Sequence, residues 1–133
     1  MKKLIYSTVI LFVLGAFTNQ IFAQSKWIAP KDADTIENPF NGNKDIIKKG
    51  KKLYTQMCVI CHGIKGKGDG VAGAALSPKP SNFTLKELQS QTDGALFWKL
   101  NNGNAPMAGY KDMLSKEQRW QLVNYIRTFK TKQ

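Results

Sequence analysis

The chain has 133 residues, 42% of them hydrophobic and 22% charged, which is room for one small domain with short extensions. That balance excludes both a disordered polyelectrolyte and a multi-span membrane protein. Two cysteines are too few for a disulfide-dense scaffold and one histidine excludes a multi-histidine metal site, while a net charge of +11 favours an acidic partner and says nothing about fold.

Met1-Lys2-Lys3 is a basic start, and the run Leu4 to Phe17 is apolar apart from Tyr6, Ser7, Thr8 and Gly15. Thr18-Asn19-Gln20 ends it, and Ala23 is a small residue before Gln24. This is the anatomy of a secretory signal peptide over residues 1–23. The alternative is an uncleaved anchor, but the strongly apolar stretch falls short of the roughly 20 residues a spanning helix needs. Export is therefore expected, to the periplasm where the source has two membranes and otherwise to an extracytoplasmic space. Contact with the membrane is expected only if the segment is retained. Removing residues 1–23 takes away Lys2 and Lys3 of the 20 basic residues, so 110 residues remain with 18 basic and 9 acidic side chains, a net +9.

Residues 24–42 are polar and turn-rich, with Pro30, Pro39 and Asp32-Ala33-Asp34, and read as an extended N-terminal arm. Trp27, Ile28 and Phe40 are its expected anchors. Residues 43–133 form the folded domain. Asn43 caps a helix running to Met57 whose apolar positions are Ile46, Ile47, Leu53, Tyr54 and Met57, with Gly50 on the same stripe. A mid-helix glycine costs roughly 1 kcal/mol relative to alanine, so a second helix is expected to cross closely there. A shorter helix starts at Thr92 or Asp93, carries Ala95, Leu96, Phe97, Trp98 and Leu100, and stops at Asn102-Gly103. Ser115 and Gln118 form a capping box that opens the C-terminal helix. There Trp120, Leu122, Val123, Tyr125, Ile126 and Phe129 make one broad apolar face.

No run of alternating β-branched residues suggests a strand. The expected fold class is all-α, with three to four short helices and long loops. The loops are residues 63–82, rich in Gly and Pro, and residues 103–114. A domain of about 90 residues with so much coil buries little core, and loops of that length usually serve a function. A non-protein group is expected to fill the centre.

Cys58-Val59-Ile60-Cys61-His62 is C-x-x-C-H, the attachment motif of c-type haem. On a helical turn, positions 58 and 61 project to one side, so two thiols reach the two vinyl groups of one porphyrin and His62 lies under the ring. A thiol-redox C-x-x-C would come with alternating strands and helices, which are missing. Zinc would need a fourth Cys or His ligand, and none exists. A second axial ligand must come from elsewhere. Met57 adjoins Cys58 on the attachment side, which leaves Met107 and Met113. Met107, in a loop held between helices and restrained by Pro106, is favoured, since Met113 sits just before the Ser115 cap where an apolar side chain packs as core. A thioether is a soft ligand suited to haem iron.

From about Asp45 to Phe129 the sequence resembles a monohaem class I cytochrome c domain. The stretches that carry the resemblance are Gly50 to Tyr54, Cys58 to Gly63, Gly66 to Gly70, Leu76 to Phe83, Asn102-Gly103, Pro106-Met107 and Trp120 to Ile126. It implies helices wrapped around one haem c, attached through Cys58 and Cys61, with His62 as proximal and Met107 as distal ligand. It also pairs Gly50 and Tyr54 with Tyr125 where the terminal helices cross. A carbonyl near Pro78 or Pro80 is expected to accept a bond from His62 Nδ1, and Leu76, Phe83 and Trp98 to bury the ring. With both axial positions filled, the implied function is one-electron transfer in a respiratory or dehydrogenase-linked chain, not enzymatic turnover. The alternatives are an electron-transfer subunit of a larger oxidoreductase and a small haem enzyme or gas-binding module with an open distal site. Redox partners with acidic docking patches are expected, and no nucleic acid.

Overall fold

The computed structural model describes residues 26–130, so the expected signal segment over residues 1–23 lies outside the described residues. Among the described residues five α-helices follow one another: α1 (Lys44–Met57), α2 (Val59–His62), α3 (Lys86–Gln89), α4 (Asp93–Asn102) and α5 (Lys116–Arg127). Short 3-10 turns lie at Lys31–Thr35 and Gly73–Ala75. Among the described residues there is no strand, only an isolated bridge between Asn104 and Met107. The fold is the expected all-α one, with α2 and α3 as single turns beside three longer helices. No helix of the described residues is long and apolar enough to cross a membrane.

Each long helix begins where its cap predicts. Asn43 Oδ1 accepts from the amides of Asp45 at 3.0 Å and Ile46 at 3.2 Å. Thr92 Oγ1 accepts from Ala95 N at 3.0 Å. Ser115 and Gln118 form the reciprocal box, at 3.1 Å and 2.9 Å. These bonds satisfy amides that a helix start leaves without intrahelical partners.

The main helix–helix contact is α1 against α5. It forms at Gly50, where an added Cβ would stand 2.0 Å from the Gln121 carbonyl oxygen and 3.0 Å from Tyr125 Cβ. Only a residue without a side chain lets the backbones approach this far. One turn on, the Tyr54 ring lies 5.2 Å from that of Tyr125 and 5.3 Å from that of Phe129. The apolar face of α5 therefore continues beyond its last helical residue, Arg127. Phe97 of α4 stacks on Trp120 of α5 at 4.0 Å between centroids, which joins the third long helix to the pair.

The arm is not wholly extended. Its Lys31–Thr35 turn packs on α4, with Ala33 buried at 1% exposure, and an added Cβ on Gly94 would meet the Ala33 carbonyl at 2.0 Å. Ile28, expected as an anchor, is 70% exposed, and Ala33 takes that role. A small residue suits the tight approach to Gly94 and leaves no apolar periodicity to find in the sequence. Met113, expected to pack as core, is likewise 62% exposed; Leu114 beside it is the buried residue.

Candidate haem site

Cys58 ends α1, its amide donating to the Tyr54 carbonyl at 2.9 Å, and its backbone turns (φ −114°, ψ −30°) so that α2 starts afresh at Val59. The amides of Cys61 and His62 then return to the Cys58 carbonyl, at 3.2 Å and 2.8 Å. A one-turn helix leaves its last carbonyls unpaired. Here the glycine-rich loop supplies them: Ala72 N donates to Ile60 O at 2.9 Å, Gly70 N to Cys61 O at 3.1 Å, and Gly68 N to His62 O at 2.9 Å. Gly70 has to be glycine, because a Cβ there would stand 2.4 Å from the Ile60 oxygen. The loop that looked functional from its length thus holds the C-x-x-C-H turn in shape.

His62 Nδ1 lies 3.2 Å from the Ser81 carbonyl oxygen. The acceptor is therefore the residue after Pro80, and neither proline itself. With Nδ1 as donor, Nε2 carries the lone pair. Burial lowers the His62 pKa, and the Ser81 bond opposes this only in part, so the ring is held neutral, the form that binds a metal. Phe83, buried, stacks on the imidazole at 4.4 Å and 18°.

Two adjoining cavities of about 320 and 270 Å³ meet at this ring. His62, Met107, Phe83, Leu100, Ile126 and Trp27 line both. Cys58, Cys61, Leu76, Pro78 and Pro80 line the smaller one. The cleft is of a size and apolarity that suits a prosthetic group. Met107 is set in it by a tight turn, with Asn104 N donating to Met107 O at 3.0 Å and Met107 N to Asn104 O at 2.9 Å.

Trp98 does not line the cleft. It is two residues from both Leu96 and Leu100, which do line it, and so falls on the opposite side of α4 at 100° per residue. The residue that sequence reasoning missed is Trp27, read as an arm anchor and found in the cleft wall. Leu96, Leu100 and Tyr110 were also unassigned. The Leu96–Leu100 spacing was a legible signal for one face of α4, whereas nothing local in the arm marks Trp27.

The donor set fits haem c. Both thiols are free of any disulfide. Burial, and then the neighbouring Cys61, pushes the Cys58 thiol up to about 12, so it is an uncharged thiol in an apolar wall. A redox-active C-x-x-C has the opposite character, a depressed pKa and an exposed thiolate. Two thiols and a neutral imidazole beside one apolar cleft fit a covalently held porphyrin, and the Met107 thioether lines the same cleft.

Residues 45–126 match the family model described as cytochrome C oxidase, cbb3-type, subunit III. No curated protein matches the chain. Among solved structures, a chain of the Kuenenia stuttgartiensis reducing HAO-like protein complex Kustc0457/Kustc0458 is 25% identical with a TM-score of 0.62, over 70% of this chain and 47% of its own. This chain thus spans about half the length of that one. The KustC0563 c-type cytochrome is 30% identical with a TM-score of 0.53, over 62% of this chain and 98% of its own. Fold, motif and family model converge: the chain belongs to the cytochrome c oxidase, cbb3-type, subunit III family, as a c-type cytochrome domain for electron transfer, and such a domain implies covalently bound haem c.

Proposed function

We propose that the protein is an exported one-electron carrier holding one haem c through thioethers from Cys58 and Cys61, with His62 and Met107 as axial ligands. The observation that carries this reading is that His62 and Met107 line the same apolar cleft from separate segments, with both cysteines in its wall. Bound haem supplies one-electron exchange at its iron. The chain orients the imidazole through Ser81, seats the thioether on the Asn104–Met107 turn, and would surround the porphyrin with the apolar side chains of the cleft. Thioether ligation favours the reduced iron and raises the potential. Two protein ligands leave no position for substrate, which suits a carrier. Lys79 is exposed in the cleft wall, Lys65 and Lys67 are exposed a few residues after His62, and all three suit a redox partner with an acidic docking patch.

The spectrum of the purified protein tests the ligands. Haem should stay bound through acid–acetone extraction. The oxidised form should show a weak far-red iron–thioether band that Met107→Ala abolishes, with cyanide then binding, and that Met113→Ala leaves intact. A haem lost to the extraction, or a band removed by Met113→Ala and not by Met107→Ala, would overturn the reading.

A second reading, an electron-transfer subunit of a larger oxidoreductase, is favoured by the similarity to one chain of an HAO-like complex. Stoichiometric co-purification with an oxidoreductase from the native membrane or periplasmic fraction would select it over a free carrier.

A further inference from the structure

The cleft differs from one end to the other. Its smaller lobe holds both cysteines among Leu76, Pro78, Pro80 and Tyr110. Its larger lobe holds neither cysteine, and there Lys26, Glu87, Gln91 and Lys99 reach the wall. Haem is asymmetric in the same sense, because its vinyl groups and its propionate carboxylates project from opposite edges of the ring. Thioethers from Cys58 and Cys61 would hold the vinyl edge in the cysteine lobe. The carboxylates then face the lobe without cysteines. We infer that this second lobe is the binding site for the haem propionates, with the Lys99 ammonium as their charge partner and Trp27 of the arm as its wall. The inference rests on the haem reading above.

Lys99 is placed for this role. Its Nζ donates to Gln91 Oε1 at 2.6 Å and lies 5.2 Å from the centroid of the Trp27 ring. Among the described residues no carboxylate pairs with it, and Glu87 is bound instead to Lys26 at 2.8 Å. Burial, and then Lys26 nearby, lowers the Lys99 pKa and outweighs the opposing pull of the Glu87 carboxylate, so the ammonium lacks a full negative charge beside it. A carboxylate in the lobe supplies that charge. Lys79, the basic residue of the other lobe, is exposed and remains available for docking. The bland alternative is a lysine that merely lays its stem across Trp27 with its charge toward water. It predicts that neutralising Lys99 is silent.

Redox titration of the haem-loaded protein across pH decides between them. Lys99→Met and Lys99→Gln remove the charge, Lys99→Arg keeps it, and Glu87→Gln removes the lobe's own carboxylate, leaving Lys26 and the ligand His62 as its other titratable groups besides Lys99. Haem content and the far-red band should match wild type in all four; a wild type without them would fail the haem reading and not this one. In both neutral variants the oxidised-to-reduced ratio at a fixed potential should rise about three- to tenfold, tenfold being 59 mV for one electron. The acid-side step in the potential should also move toward neutral pH, because a carboxylate that loses its cation titrates higher. Lys99→Arg should restore both features. Glu87→Gln should leave the step in place, since Lys26 holds that carboxyl below its ordinary value. Neutral variants with wild-type potential and pH profile would overturn the inference. So would a fall in potential that is equal at every pH, or a step that disappears with Glu87→Gln.

Discussion

Tyr54 shows how much a single side chain carries. Its ring joins Phe83, Tyr125 and Phe129, and its hydroxyl donates to the Gly63 carbonyl at 2.7 Å, one residue past His62. The helix-crossing core is thereby tied to the end of the haem-attachment turn. Tyr54→Phe keeps the packing and leaves a buried carbonyl without its partner, at a cost of about 1–3 kcal/mol. Urea unfolding of the haem-loaded variant should read that loss. Burial raises the phenol's pKa above its ordinary value. A group whose folded pKa is raised contributes stability that is full below its unfolded value, about 10, and is lost as pH rises past it. Wild type should therefore lose stability above about pH 10 more steeply than Tyr54→Phe. Equal slopes would show that the hydroxyl is not coupled to folding.

Among the elements, the α1–α5 crossing is the least forgiving contact. Gly50→Ala would gain about 1 kcal/mol of helix propensity. It would also drive a methyl against the Gln121 carbonyl, and overpacking of this kind costs about 1–3 kcal/mol or more. The packing term should win, so thermal unfolding of Gly50→Ala should lie below wild type and that of Gly50→Val lower still. A stabilised Gly50→Ala would mean that the two helices slide apart at little cost. A second tie joins α5 to the starts and ends of its neighbours. Arg127 Nε pairs with Asp93 Oδ1 at 2.6 Å, Nη1 donates to Gln89 O at 3.1 Å and Nη2 to Gln91 O at 2.5 Å. The same Gln89 donates to the carbonyls of Phe83 and Ile126, at 2.6 Å and 3.0 Å. Arg127 thus holds the backbone of Gln89, whose amide ties the loop that carries Phe83 to the helix that carries Ile126, and both residues line the cleft.

At the scale of the whole molecule, the buried side chains gather on α1, α4 and α5, and the long loops close around a cleft instead of a core of their own. Little apolar surface is available to offset the ordering of so much coil. A group bound only to the native chain would supply the difference. Protein made without the cytochrome maturation machinery should be largely unfolded by circular dichroism, and a cooperative melt of such protein would contradict this. The charge acts at the same scale. Lysines 48, 49, 51 and 52 ride on α1 and all four are exposed, as are Lys65, Lys67, Lys79 and Lys111. Screening over a Debye length of about 8 Å at 0.15 M salt should slow electron transfer to an acidic partner as salt rises. Charge reversal at Lys65, Lys67 or Lys79 should slow it more than reversal at Lys130, and stopped-flow rates indifferent to both salt and position would return these lysines to ordinary solvated surface.

The three long helices, their caps and the C-x-x-C-H turn were all legible in the chain, because each depends on residues within about one helical turn of one another. Asn43, Thr92 and Ser115 satisfy amides two or three positions ahead, and apolar residues at helical spacing mark the faces that α1 and α5 bury. Gly50 even announced the close crossing, since its cost within a helix needs a reason. The cleft wall beyond the motif was legible only in part. Leu76, Phe83 and Met107 line it and the acceptor of the His62 bond, Ser81, adjoins Pro80, whereas Trp98 turns away and Trp27 enters from the arm. These positions lie in irregular chain or one step off a helical stripe, where direction is set by distant partners such as Lys99 for Trp27 and Gly94 for the Ala33 turn. Local backbone chemistry decided the elements, and packing across long loops decided which side chains meet at the centre.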